Sequence, residues 1–413
     1  MVERRVTERH GVDSGNSAGA LPLDGIRVLA LEQMIAAPWA TQLLARFGAD
    51  VIKVEHPERG DTGRASVPRI TGADGREVGA TFLRNNLNKR SIGIDLGRGA
   101  DLVLDLAERC DVFVENYKPG TLARFGLGYD AVSARNPGII YASVTGFGTT
   151  TPSPYRDWPA YASVAEAMSG IYQWARQPGQ RPVINPVGAL GDIGTAMFAA
   201  LGILAALRHR DATGEGQHVD VAMFDAMVAL ADVVPALWSL GVRDRFPGAI
   251  VTTFDAADGP VVVQVSREHQ FARLVTVIGH PEWVDDPRFA TRQGWIDHLE
   301  TLIRPAVERW TQGRDKLAVC SVLATAGIAC GPCNSAEEVL ADEHLAQRDM
   351  LVQFEEGSES YVVPGNPVRF SRMDTRVDQR SPYLGEHTEP VLADVLGLSP
   401  ERVARLRSTG IVS

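Results

Sequence analysis

The chain has 413 residues, 45% of them hydrophobic, and a formal net charge of −10. That is enough chain to outgrow a single core and to fold as two domains. Its Lys and Arg residues are dispersed over an acidic background, which excludes a phosphate-neutralising, nucleic-acid-binding face. Residues 1–20 are polar and read as a disordered lead-in, and the longest apolar run, Ala196 to Leu207, falls short of the ~20 residues of a membrane span, so a cytoplasmic protein with no membrane role is expected.

Gly25-Ile-Arg-Val-Leu-Ala-Leu31 reads as a short buried strand, Pro38 to Phe47 as a helix stopped by Gly48, and Ala49-Asp-Val-Ile-Lys-Val-Glu55 as a second strand. A βαβ unit of this kind predicts a parallel sheet with right-handed crossovers. The pattern continues with strands at 91–95, 111–115 and 139–144, a helix at 100–109, an apolar helix through 196–207 and a strand at 218–223. An open, doubly wound α/β domain is the expected fold. After a helix at 225–234 and a connection at 248–258, Pro260-Val-Val-Val-Gln-Val265 opens a smaller α+β domain. Its helices are expected at 269–278, 295–312 and 316–325, the second broken at Pro305. Residues 349–354 and 360–363 alternate as a hairpin about Glu356-Gly357. In the last helix Ser399 is the cap and Pro400 the first helical residue.

Between the first strand and helix stand Glu32-Gln-Met-Ile-Ala-Ala-Pro38, without the glycines that admit a pyrophosphate, so a dinucleotide cofactor is not expected. Small Ala36 and Ala37 still leave room for a ligand at the carboxyl end of the strand. Lys89 and Arg90 in the basic turn Asn86 to Ser91, with Arg98 and Arg124, offer cations to a ligand carrying phosphates, and Tyr117 a ring for stacking.

Asp192 is the only ionisable residue in Pro186-Val-Gly-Ala-Leu-Gly-Asp-Ile-Gly-Thr195, at the start of the long apolar helix. It can act as an N-cap, or the same amides can hold it as a nucleophile, with Gly188, Gly191 and Gly194 letting the backbone approach a ligand. Cys330-Gly-Pro-Cys333 has thioredoxin-type spacing but stands in the wrong context, and reads as two buried thiols in a turn. The histidines do not cluster at ligand spacing, so no metal is expected, and neither a Gly-x-Ser-x-Gly elbow nor a P-loop occurs.

Taken in order, Ala49-Asp-Val-Ile-Lys-Val-Glu55, Asn88-Lys-Arg-Ser-Ile92, Glu115-Asn116, Pro119-Gly120, Thr145-Gly-Phe-Gly148, Gly191-Asp192, Gly214-x-Gly-Gln217 and Leu384-Gly-Glu-His-Thr388 resemble the class III CoA-transferases, the formyl-CoA and carnitine CoA-transferase family. The resemblance implies a Rossmann-like large domain built from both chain ends, a smaller inserted domain, and two chains interlocked as rings. The segments become 21–225 and 341–413 for the large domain, 226–258 as linker and 259–340 for the small one. It also implies CoA and acyl-CoA as substrates with a small carboxylic acid acceptor, and no permanently bound cofactor. Asp192 falls on the family's nucleophile, which would form an aspartyl anhydride and then an enzyme-CoA thioester; amides at the helix start would stabilise the oxyanions. Ala36, Asn116, Tyr117 and Arg124 fall on positions lining the CoA cleft, and Ile94 and Arg98 on or beside others.

Three departures stand out. Tyr161-Ala162 lacks the acidic residue that many transferases carry after the tyrosine, no glycine-rich lid is evident between Arg243 and Asp258, and Ile35 replaces the glutamine of formyl-CoA transferases. An α-methylacyl-CoA racemase-like enzyme, the alternative on the same fold, needs a histidine that Tyr161-Ala162 does not supply. A thiol-disulfide oxidoreductase using Cys330 and Cys333, and a CoA-binding protein without turnover, are the alternatives from other classes.

Overall fold

Six short runs rich in Val, Ile and Leu form one parallel sheet in the computed structural model, which describes residues 21–176, 179–186, 188–243, 248–357, 359–375 and 379–413. The expected lead-in at 1–20 and part of the segment 243–258, where no glycine-rich lid is evident in the sequence, lie outside the described residues. The strands are β1 (Arg27–Leu31), β2 (Asp50–Glu55), β3 (Arg90–Gly93), β4 (Val112–Glu115), β5 (Ile140–Thr145) and β6 (Gln217–Ala222). Their order is β3-β2-β1-β4-β5-β6, with every neighbouring pair parallel. This is the doubly wound arrangement expected from the βαβ pattern.

Strands β4 and β5 are buried along their whole length, because helices cover both faces. On one face Val28, Ala30, Val112 and Val114 pack against helix α1 (Ala36–Arg46) and the long helix α3 (Leu190–Thr213). On the other, Leu29, Leu31, Phe113 and Tyr141 pack against α2 (Leu96–Ala107) and the C-terminal helices Thr388–Leu396 and Pro400–Ser408. The alternation of strand side chains thus feeds two separate cores. Ser399 caps the last helix by accepting from the Arg402 N–H, with Pro400 in its first turn.

Two compact units result: residues 21–232 with 347–413, and Val233–Ala346. The second holds a three-stranded antiparallel sheet in the order Ala329–Pro332, Gly259–Val265, Ile250–Ala256. The segment 248–258, read as a connection, therefore carries a strand, with Ala257 and Asp258 as its turn. Helix 295–312 is three pieces, Arg292–Asp297, a π-helical turn Leu299–Ile303 and Arg304–Thr311, with Pro305 in the first turn of the last. The hairpin Leu351–Glu356 with Glu359–Pro364 belongs to the first unit. Short elements that carry no strong pattern were not anticipated, among them Ala80–Asn85, Tyr129–Arg135 and Ala162–Met168.

Candidate active site

Strand order reverses between β1 and β4, and an open α/β sheet leaves a crevice at the carboxyl ends of its strands at that point. Asn116 closes the bottom of it. Its side-chain amide accepts from the Gln33 N–H and donates to the Gln33 carbonyl, both at 2.8 Å, pairing with the β1 turn as a strand would. The turn itself is held from beneath. Met34 has φ +66° and donates its N–H to Asp61, while buried Lys53 reaches Asp61 at 2.8 Å, the Glu32 carbonyl at 3.0 Å and the Glu32 carboxylate at 3.5 Å. Burial alone would lower the Lys53 pKa, but Asp61, Glu32 and Glu55 outweigh it and hold the ammonium above its ordinary range.

Above this floor lies a cavity of about 600 Å³. Its walls come from the turns after β1, β4 and β5 (Gln33 to Ala36, Asn116 to Pro119, Thr145 to Phe147), from Arg156, Trp158 and Tyr161, and from Met223 and Asp192. A second cavity of about 590 Å³ opens at the ends of β2 and β3, against Glu55, His56, Arg59 and Asp95 to Gly97. Gln33, Thr62 and Tyr117 line both.

Asp192 is the third residue of α3 and not its cap; that position is Ala189, at φ +42°, which has no capping side chain. The cap comes from elsewhere. Glu166, 1% exposed on the helix Ala162–Met168, accepts the Gly191 N–H at 2.9 Å with Oε1 and the Tyr172 hydroxyl with Oε2. One helix-start amide is thereby committed to a carboxylate and is not free to stabilise an oxyanion. Among the described residues no hydrogen-bond donor or ion-pair partner reaches the Asp192 carboxylate, which is half-buried in the cavity wall. Burial and the neighbouring Glu166 push its pKa up to about 6, against a smaller opposing effect of Arg84.

The glycines serve packing more than ligand approach. A Cβ on Gly191 would lie 3.0 Å from both Cα and O of Ala162, and one on Gly194 would collide with Leu230. Gly188 alone has open space around it, and needs its φ of +69°.

Of the residues expected to meet CoA, Ala36, Asn116 and Tyr117 line the cavity that holds Asp192. Arg124 is exposed and precedes Phe125, which lines the second cavity, but does not itself line either. The other four are corrected by their surroundings. Lys89 is buried and donates to Glu32, the Pro38 carbonyl and Asn86 at 2.7–2.9 Å, so all three of its protons are used; burial draws its pKa down to about 8 against the pull of Glu32. Arg90 pairs with Asp50 at the opposite, amino-terminal edge of the sheet. Ile94 is a core residue bridged to Val412. Arg98 pairs with Asp95 and clamps the carbonyls of Thr409 and Gly410. Asp95, Leu96 and Gly97 line the second cavity in their place.

Cys330 and Cys333 are not a redox pair in a turn. Cys330 lies in the strand Ala329–Pro332 with its sulfur 3.1 Å from that of Cys320, and burial with its neighbouring thiols pushes its pKa up to about 12, the reverse of a reactive thiol. No histidine lines the cavity of Asp192, and among the described residues no group of three or more His, Cys, Asp or Glu is placed to hold a metal. Sequence reasoning missed Glu166, whose only signal was an acid one helical turn beyond Ala162.

Known proteins are similar to this chain in sequence and in fold. The succinate–glutarate CoA-transferase of Agrobacterium fabrum is 37% identical over 393 residues, covering 91% of this chain and 96% of that protein. The mouse succinyl-CoA:glutarate CoA-transferase is 32% identical, covering 95% and 90%. A crystal structure of a CaiB/BaiF family protein from Brucella suis superposes with a TM-score of 0.80 at 34% identity, over 91% of this chain and all of that one. The sequence model of CoA-transferase family III matches residues 23–388, and on that match and those relatives the chain belongs to CoA-transferase family III.

Proposed function

We propose that this enzyme moves CoA between short dicarboxylic acids, with Asp192 as the nucleophile. The observation that carries the reading is the Asp192 carboxylate itself: half-buried, without a hydrogen-bonding partner among the described residues, and facing a cavity that also holds Ala36, Asn116 and Tyr117. Dicarboxylic substrates are favoured by the names of the relatives, and by Arg156 and Lys118, which give the cavity cations for a second carboxylate. CoA would run over Tyr117 from one cavity into the other.

A carboxylate oxygen of Asp192 attacks the donor thioester carbonyl, the C–S bond breaks, and CoA leaves as thiolate from a mixed anhydride. The thiolate attacks the aspartyl carbonyl and releases the donor acid, leaving CoA on Asp192. The acceptor carboxylate then attacks that thioester, again giving an anhydride and free thiolate, and the thiolate takes the acceptor's acyl group. No net proton is needed. A cytoplasmic, homodimeric enzyme is part of the same proposal, supported by composition and by the family pattern.

Succinyl-CoA incubated with glutarate is expected to yield glutaryl-CoA and succinate by liquid chromatography, and hydroxylamine is expected to mark Asp192 during turnover. Asp192→Asn should fold and lose turnover by ~10³-fold or more. Undiminished turnover in that variant would refute the assignment.

A further inference from the structure

Glu166 is a buried carboxylate that the transfer chemistry above does not use. The Gly191 N–H and the Tyr172 hydroxyl each use a different oxygen; a glutamine would keep the first bond with its carbonyl oxygen and turn the second round by donating its NH2 to the Tyr172 oxygen, so the pair can be met without a charge. Among the described residues no lysine or arginine pairs with it. Burying such a charge is costly, and this one is placed one peptide unit from Asp192, where the helices approach so closely that Gly191 has no room for a methyl against Ala162.

The charges around Asp192 are few. Glu166 faces it from the helix Ala162–Met168 and raises its proton affinity, while Arg84, from the helix Ala80–Asn85, opposes this more weakly. Arg156, Lys118 and Tyr161 share its cavity.

The free enzyme thus holds two carboxylates side by side. When Asp192 enters an anhydride or a thioester it becomes uncharged, and its negative charge departs on the CoA thiolate or on the released acid. Repulsion present before the reaction is absent after it.

We propose that Glu166 is a positioning residue for CoA transfer: hydrogen-bonded to the Gly191 N–H, it fixes the first turn of α3 and, through its charge, favours the acylated form of Asp192 over the free carboxylate. It supplies from one turn further along the helix the second acid that Ala162 lacks, as a fixed neighbour and not as a reacting group. The inference rests on Asp192 being the nucleophile.

Glu166→Gln keeps the acceptor for the Gly191 N–H, reverses the hydrogen bond with the Tyr172 hydroxyl and removes the charge. With succinyl-CoA as probe, the acid limb of kcat/KM is expected to move about one pH unit lower, and the ratio of CoA thioester to free enzyme at a fixed succinyl-CoA to succinate ratio to fall about tenfold, as each pKa unit is a factor of ten. A purely structural cap would move neither. If Glu166→Gln does not fold, the near-isosteric Glu166→Met, which also removes the charge, is read by the same acid limb. An unmoved acid limb in the folded Glu166 variant overturns the inference and leaves the transferase reading intact. Thioester trapping that persists in Asp192→Asn overturns the assignment of Asp192 as the nucleophile.

Discussion

Asp192 is held where burial and Glu166 both favour its protonated form, so its ionisation works against folding. The folded carboxyl titrates at about 6 and the unfolded one near the ordinary value of 3.8, so between those values the folded state binds the extra proton. The associated stability is fully present below about pH 4 and is lost as pH climbs through 6. Asp192→Asn removes that loss, and should be more stable than wild type by about 2–3 kcal/mol at pH 7.5 and nearly equal at pH 4. Urea denaturation at the two pH values checks this, and a variant less stable at pH 7.5 would mean that the carboxylate is held by donors. The sequence located this residue because a lone acid among glycines at a helix start is conspicuous. It misplaced Lys89 and Arg90, because a cluster of charges in a turn reads as solvent-facing, whereas tertiary packing turns Lys89 inward to Glu32 and Arg90 to Asp50.

The α3 start works only if the helix Ala162–Met168 sits directly against it, and glycine makes that approach available. A methyl on Gly191 meets backbone atoms of Ala162, which cannot rotate away, while one on Gly194 meets the end of the Leu230 side chain, which can. Gly191→Ala is therefore expected to cost ~1–3 kcal/mol by overpacking and to cut kcat through displacement of Asp192 from Glu166, and Gly194→Ala to cost stability with kcat largely kept. Steady-state kinetics with thermal melts of both variants tests the contrast; equal kcat values in the two would remove the positional argument. Elements of this sheet were legible where the period was strong: β1, β2, β4, β5 and β6 came from short apolar runs, whereas the break expected at Pro305 falls at His298, before the π-helical turn. The helix Ala162–Met168, which carries Glu166, was invisible because seven residues with mixed polarity give no resolvable period. The strand Ile250–Ala256 was lost for a different reason, its Thr253 and Asp255 facing outward from an antiparallel sheet with one wet face.

Helix α3 spans 24 residues and is apolar on every side from Ala196 to Leu207; by length and composition it could cross a membrane, yet only half of its apolar stretch is buried within the chain. Ala196, Ala199, Ile203 and Leu207 face the sheet. The face they leave is not polar: Met197 is 45%, Phe198 37% and Leu201 63% exposed, and Leu230, on the adjoining helix Met223–Leu230, extends the same patch. A stripe of this kind on a chain of net charge −10 marks a surface that another surface covers. Its other face is committed to a sheet core and its carboxyl end carries Arg208, His209 and Arg210, which fits a second copy of the chain better than lipid. If the chains are interlocked as the resemblance implies, they separate only when one of them opens. We therefore expect light scattering to give twice the chain mass of 44.6 kDa, with no decline on dilution to nanomolar protein. Leu201→Glu would place an unpaired carboxylate in that interface on each chain, a cost of several kcal/mol. In a threaded assembly this should appear as a lower melting temperature and aggregation of opened chains, since each chain folds around its partner. A folded, active monomer from wild type or from Leu201→Glu would show instead that the stripe is covered by something other than a second copy, and that a single chain completes the site around Asp192 unaided.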